Sequence, residues 1–497
     1  MKKIVYLPLD ERPCNALFPV QLFGDVFDIA VPPVFGYKKE AVNWEEIHAF
    51  LEREAPGADG LVLSMDMLLY CGLIPSRLHH LDREEVQRRL NLIRELRKWN
   101  PSLVIYAYQC IMRCPSYSSS DEEPDYYEDC GREIFLLGEA RHRLQAGLIS
   151  QEEADRLASS VPEAALKDYL DRRAFNLSFN LETLELVKEG VIDELVFPQD
   201  DCARFGFTAM DQEKVRRRIS ELRLNTRVLL YPGADELGLT VMSRMLLHFE
   251  GRHPLVYVKM ASVNAASVIP PYEDRPLGET IKYHLISAGC RIASCMSEAD
   301  IVLGVSFPGC AGMDVLGTGK DVRGYAVERT LIEFVLFLEE ALKNGKIVTL
   351  ADNAYANGGD NELISLLEQQ DLLGRLQGYA GWNTSSNTMG TAIAMGVHAL
   401  IRGVTDAHRS FLAERYLEDA GYCGAVRQDV IREDLPRLGY EYFHIGEMRG
   451  KVSEVIAERL RAYARTELTS IADHIEILDV WMPWKRIFEV GLKVQWK

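Results

Sequence analysis

Glu194-Leu-Val-Phe-Pro-Gln-Asp200-Asp201 is a short apolar, partly β-branched run that ends in two adjacent carboxylates. Such a run reads as a strand, and the carboxylates fall where the strand gives way to a loop. Neighbouring side chains of a strand face opposite ways, so Asp200 and Asp201 act together only if the backbone turns. Pro198 before them and Gly206 after them supply that turn. Two carboxylates held close do not both ionise easily, so one pKa rises and a proton donor stands beside a charged partner. The competing reading is that the pair caps the following helix.

Working outward, the same rhythm recurs. Apolar runs at residues 4–9, 27–31, 60–64, 103–108, 227–231, 255–260, 301–306, 347–351 and 378–382 read as further strands. Between them lie stretches of helical period such as 83–99, 209–224 and 323–344, and that alternation predicts an α/β fold with a mostly parallel sheet. Nearly every strand ends in a polar group: Asp10, Asp66, Gln109, Asp200, Asp235, Asn264, Asp352, Asn383. Strand ends converge on one rim in a closed β/α barrel, so the expected fold is a TIM-like barrel over residues 1–404. A Ser-rich, acidic segment at about 117–181 reads as a helical insertion or lid. Residues 405–497, helical and then aromatic-rich, read as a C-terminal module.

Composition narrows the function classes. The 497 residues carry a net charge of −18, which disfavours nucleic acid and anionic membrane as partners. No apolar stretch approaches the ~20 residues of a membrane helix, and the lysine-led start lacks a cleavage site, so a cytoplasmic location is expected. The ten cysteines show no paired spacing, which fits reduced thiols and no metal or other cofactor. Homo-oligomerisation stays open.

Several motifs carry polar groups suited to a hydroxylated ligand. Leu7-Pro-Leu-Asp10-Glu-Arg12 sets acids and a base at the first strand end, and Ser64-Met-Asp66 precedes Ile-Pro-Ser-Arg77 in a turn-rich stretch. Asp235-Glu236 forms a second carboxylate pair, which opens the alternative of a metal-dependent hydrolase using Asp200, Asp201, Asp235 and Glu236 as oxygen ligands. Residues 312–321 suggest a phosphate loop, but their glycine spacing fails the pattern and Asp321 stands where Ser or Thr is required. The densest signal is Asp352-Asn353-Ala-Tyr355-Ala-Asn357, followed by Trp382-Asn383 and Asn387. Carboxamides and short carboxylates serve sugar hydroxyls and aromatic faces serve C–H groups, so a small carbohydrate is the expected substrate.

From Leu7 to Gly390 these stretches resemble the bacterial domain-of-unknown-function family numbered 4127, in its L-P-L-D-x-R-P, G-L-I-P-S-R, Q-D-D, P-G-A-D-E and G-W-N-T segments. A second resemblance is to retaining hexosaminidase barrels of the O-GlcNAcase type. Asp200-Asp201, Asp352-Asn353-Ala-Tyr355 and Asn387-Thr-Met389 occur in the order those enzymes use. That resemblance implies a glycoside hydrolase in which the substrate's acetamido oxygen attacks the anomeric carbon. Asp200 would polarise the acetamide, Asp201 would act as general acid/base, and Asp352, Asn353 and Asn387 would hold the sugar. A non-catalytic sugar-binding protein is the remaining expectation.

Overall fold

The computed structural model describes residues 1–158, 160–316 and 322–497, so part of the rejected phosphate loop, 317–321, lies outside the described residues. The chain forms two compact units. Unit 1 comprises residues 1–11, 27–238 and 272–274, and unit 2 comprises 12–26, 239–271 and 275–497. The boundary expected at 404/405 falls inside unit 2.

Unit 1 is built on six parallel strands: β1 (Lys2–Leu7), β2 (Phe27–Ala30), β3 (Gly60–Ser64), β4 (Val104–Tyr108), β5 (Glu194–Gln199) and β6 (Val228–Pro232). They pair in the order β2-β1-β3-β4-β5-β6, with Val5 opposite Leu61, Leu61 opposite Ile105 and Val196 opposite Leu229. Central strands buried on both faces explain the unbroken apolar runs, and Leu61, Leu63, Ile105 and Phe197 sit at the heart of this core. Pro198 does not end its strand. It stays within β5, opposite Tyr231.

Unit 2 carries a five-stranded parallel sheet made of β7 (Leu255–Met260), β8 (Arg291–Ile292), β9 (Ile301–Ser306), β11 (Ile347–Asp352) and β13 (Gly378–Ala380), in the order β13-β11-β9-β7-β8. The two-residue strands β10 (Met313–Asp314) and β12 (Tyr355–Ala356) pair beside it, and β14 (Ile475–Trp481) and β15 (Gly491–Trp496) form an antiparallel hairpin.

These topologies correct the barrel expectation. A TIM barrel closes one sheet with strands in chain order, whereas here two sheets remain open and each places its second strand outside its first. Alternating strands and helices look the same in both architectures, so the sequence pattern cannot separate them. In each sheet the order reverses next to the first strand, between β1 and β3 and between β7 and β9. Ligand sites of open parallel sheets gather at the carboxyl ends near such a reversal.

Helix packing in unit 2 is unusually specific. Gly378 and Gly396 let helix Ser385–Arg402 approach β11, since a Cβ at either would meet the Thr349 side chain. A buried chain of polar groups fastens the neighbouring elements. His398 Nε2 lies 2.8 Å from Asp25 Oδ1, His398 Nδ1 lies 2.9 Å from His408 Nδ1, and His408 Nε2 lies 2.8 Å from the Gln377 carbonyl. The helix Asp406–Arg415 then continues into an eleven-residue π-helix, Tyr416–Val426.

Candidate functional site

The carboxyl ends of the unit 1 strands present polar side chains because the loops leave the sheet there. Ser64 caps the helix Met65–Tyr70 by accepting from Met67 N, which sets Asp66 in the first turn. Pro75 opens the short helix Pro75–Leu78 and so places Arg77. The loop after β4 brings Arg113, and its continuation brings Glu122 and Glu123. The backbone of that loop is pinned from helix Glu163–Lys188, where Tyr169 Oη donates to Arg113 O at 3.1 Å and Arg173 Nη1 to the same carbonyl at 3.3 Å.

Asp200 and Asp201 meet on this scaffold. The following helix starts at Phe207 with Gly206 as its cap residue, φ 133°, and no side-chain cap, so the aspartates do not serve that helix. Asp201 takes a left-handed conformation, φ 39°, and its carboxyl and that of Asp200 converge on one guanidinium. One nitrogen of Arg113, Nη1, donates to Asp200 Oδ2 at 3.2 Å and to Asp201 Oδ2 at 2.9 Å. Arg77 Nη2 reaches the same Asp200 oxygen at 2.7 Å. Glu123 Oε1 accepts from Arg113 Nε at 2.7 Å and Glu122 Oε2 from Arg113 Nη2 at 3.0 Å.

Four carboxylates therefore share two guanidiniums whose side chains are only 3 and 5 % exposed. Burial, reinforced by Asp200 and Glu122 against the opposing pull of Arg113, pushes Asp201 up to about 7. Close by, Asp66 accepts from Cys110 N at 2.8 Å, and burial raises it to about 6. Asp66, Arg77, Arg113, Asn176 and Asp200 line one small cleft. Asp201 stands beside this cleft through Arg113 without being part of its lining, and Asp10, Asp235 and Glu236, buried at strand ends of unit 1, are not part of it either. Among the described residues no group of three or more His, Cys, Asp or Glu side chains is arranged to hold a metal ion, so the four carboxylates of the metal-hydrolase reading do not form a ligand set.

The remaining sequence-derived candidates belong to unit 2. Asp352 Oδ2 accepts from Asp360 N at 2.7 Å and from Tyr379 Oη at 2.9 Å, and burial together with Asp360 pushes its carboxyl up to about 7. Asn353 Nδ2 donates to Ser385 O, Asn387 is buried in the first turn of helix Ser385–Arg402, and Tyr355 stacks on Tyr325 at 4.7 Å. Asp352, Asn353 and Asn387 thus join strand ends to their own surroundings. Arg12, Asn357, Trp382 and Asn383 instead line a common cleft within unit 2.

A tight backbone approach accompanies Asp352. A Cβ on Gly359 would fall 3.1 Å from Ala420 Cα and 3.2 Å from Asp352 Oδ2, and would also strike Tyr379 Oη. Gly359→Ala is expected to destabilise unit 2 by about 1–3 kcal/mol, as other overpacked sites do. A denaturant titration followed by tryptophan fluorescence checks this, and an unchanged midpoint would contradict the described packing.

Sequence reading missed Arg113, Glu122, Glu123 and Asn176 in unit 1, and in unit 2 Arg329, which pairs with Asp360 at 2.7 Å, and Arg415, which pairs with Asp419 at 3.0 Å. Arg113 lies five residues beyond the end of β4, among Ile111, Met112 and Cys114, and Glu122-Glu123 sit in the stretch that reads as a helical insertion or lid. Only their partners, distant in the chain, reveal them.

The architecture and the carboxylate site define an open-sheet α/β protein with an acid–base cluster at strand ends. The family described as Protein of unknown function (DUF4127) matches residues 4–493, and the chain belongs to it. No curated protein matches the sequence significantly. Among solved structures, the apo form of a dinucleotide-forming acetyl-coenzyme A synthetase 1 from Ca. Korarchaeum cryptofilum aligns over 83% of this chain and 97% of its own at 10% identity, with a TM-score of 0.17 too low to inform fold or function. Among the described residues no helix is long and apolar enough to cross a membrane.

Proposed function

We propose that unit 1 holds the active site of a glycoside hydrolase, with Asp201 as general acid/base and Asp200 as the positioned carboxylate beside it. The observation that carries this reading is the single Arg113 nitrogen bonded to both aspartates, within a cluster where four acids share two bases. Such a cluster retains a proton near neutral pH, and hydrolysis of an acetal needs one delivered to the leaving oxygen. Asp66 on the cleft wall supplies a further hydroxyl partner.

In its finer form the enzyme is a retaining N-acetylhexosaminidase whose substrate provides the nucleophile. That form is supported by the order of the Asp-Asp, Asp-Asn-Ala-Tyr and Asn-Thr-Met segments in the sequence.

The test is a panel of chromogenic glycosides that includes N-acetyl-β-glucosaminide and N-acetyl-β-galactosaminide. Turnover that collapses in Asp201→Asn is the expected result, and no turnover on any member would overturn the reading. Because Asp201 must be protonated to act as the acid, kcat/KM should fall as pH rises through about 7. A basic limb that stays flat to pH 9 would remove Asp201 from that role.

A further inference from the structure

Unit 1 holds a second cavity, of about 290 Å³, near the lower end of small-molecule sites. The short helix Pro75–Leu78 presents Pro75 and Leu78 to it and Ser76 and Arg77 to the carboxylate cleft, so the two spaces share no lining residue. Much of the wall is apolar, with Val42, Trp44, Pro75, Leu78 and Leu81. Trp44 opens the helix Trp44–Glu54, capped by Asn43, and Val42 N donates to Cys71 O at 3.4 Å, which ties the preceding loop to the end of helix Met65–Tyr70.

The charge on this wall has one sign. Lys39 and Arg89 line it and no described residue of the lining is acidic, although the chain carries 74 acids against 56 bases. The two cations are held differently. Arg89 is buried, and its Nη1 donates to Leu69 O at 2.7 Å and to Cys71 Sγ at 3.3 Å while Nη2 pairs with Glu85, so it is part of the framework. Lys39 is partly exposed, and its Nζ lies 3.5 Å from Asp125, whose carboxylate stands in solvent. A pair so long and so wet contributes little, and Lys39 can exchange it for a better partner. His79 is not a third cation. Leu81 N donates to its Nδ1 at 3.3 Å, which leaves the ring hydrogen on Nε2 for Asn176 Oδ1 at 2.8 Å, and burial lowers its pKa to about 4.

A ligand seated on the apolar wall covers Lys39, and taking an ammonium out of water is costly unless an opposite charge comes with it. A cationic ligand would meet two like charges, and a bare inorganic anion would leave the apolar wall unused. An anionic head on an apolar body meets both parts of the wall.

We propose that this cavity binds a small organic carboxylate, with its head group on Lys39 and its apolar body against Trp44, Pro75 and Leu78. The site goes beyond the hydrolase reading and does not depend on it.

The experiment is a saturation-transfer NMR titration of the full-length wild-type chain with 3-phenylpropionate and with its neutral counterpart, 3-phenylpropionamide. The carboxylate should bind saturably and the amide about tenfold more weakly, the worth of one charge-assisted contact. Inorganic phosphate at equal concentration should not displace the carboxylate. Lys39→Met removes the ammonium at a partly exposed position, and should weaken the carboxylate by about tenfold while leaving the amide unchanged. Lys39→Arg should restore the carboxylate. Ala41→Phe, at an exposed position of the lining, narrows the cavity and should weaken both probes. Thermal melts matched to wild type show that the variants are folded.

No saturable binding, an amide that binds as well as the carboxylate, displacement by phosphate, or a carboxylate affinity unmoved by Lys39→Met or by Ala41→Phe would each overturn the proposal. Wild-type turnover of glycosides together with any of those outcomes would sink this site and leave the acid-cluster reading standing. Carboxylate binding by a chain that turns over no glycoside would do the reverse.

Discussion

Arg415→Met is expected to destabilise unit 2 by about 3–5 kcal/mol at pH 8, the cost of stranding buried charge. Arg415 is fully buried, with its guanidinium bonded to Glu414 at 3.1 Å, to Asp419 at 3.0 Å and to Glu418. It also lies 3.8 Å from the centre of the Phe18 ring. Methionine fills much of the same space but leaves three buried carboxyls with no cation. Burial already pushes Glu414 and Asp419 up to about 8 against the pull of Arg415. Their folded-state pKa values stand above the ordinary carboxylate range, so their contribution is favourable at low pH and is lost as pH climbs toward 8. The variant's deficit should therefore shrink between pH 8 and pH 5, as protonation neutralises the stranded groups. Denaturant titrations of wild type and variant at the two pH values, followed by tryptophan fluorescence, measure it. A deficit that is equal at both, or below about 1 kcal/mol at pH 8, would show that the arginine does not compensate these acids.

Asp201→Asn should lower kcat/KM by about 10²–10⁴ on whichever glycoside the wild type turns over, as for loss of a general acid. It should not cost stability. Asparagine tolerates the left-handed φ of 39° as readily as aspartate does, and the amide keeps an oxygen for Arg113. Asp201 carries a raised pKa, so its charged form is penalised in the folded protein above about pH 7. The amide escapes that penalty, which builds from the ordinary carboxylate pKa of 3.8 up to about 7, so the variant should melt at the same temperature as wild type only below about pH 4 and at an equal or higher one at pH 8. An inactive variant that also melts earlier at pH 8 would point to a structural role for Asp201. An active variant would dismiss it from catalysis.

Much of the secondary structure was legible in the sequence. The ten expected strands coincide with β1 to β7, β9, β11 and β13, because buried parallel strands announce themselves as continuous apolar runs. The two-residue strands β8, β10 and β12 are too short for any periodic signal, and the C-terminal hairpin was read only as an aromatic tail. Strand order was invisible, since pairing β1 with β3 and putting β2 at the edge depends on contacts that no local pattern encodes. The unit boundary was equally hidden. The chain leaves unit 1 after Glu11 and returns at Phe27, with no shift in composition to mark either crossing.

At the site, Asp200, Asp201 and Arg77 were legible, and Arg113, Glu122 and Glu123 were not. Asp200 and Asp201 stand out as a pair at a strand end, whereas Arg113 sits among Ile111, Met112 and Cys114 without any local hint of its role. The Glu414–Asp419 segment spaces its charges three and four apart, which ordinarily marks a solvated helix face. Its burial around Arg415 follows only from the elements that cover it.

The relay from Asp25 through His398 and His408 to the Gln377 carbonyl obeys a strict count of hydrogens. A carbonyl only accepts, so His408 must give its Nε2 hydrogen to Gln377 and receive one at Nδ1 from His398. Nothing is then left at His398 Nε2 for Asp25, yet those atoms stand 2.8 Å apart. Three links need three hydrogens and two neutral imidazoles bring two, so the relay closes fully only when an added proton sits between Asp25 and His398. Burial outweighs the opposing pull of Asp25 and holds His398 below the ordinary imidazole range. The joint between the helices on either side is therefore complete in acid and drops one link as the solvent nears neutrality.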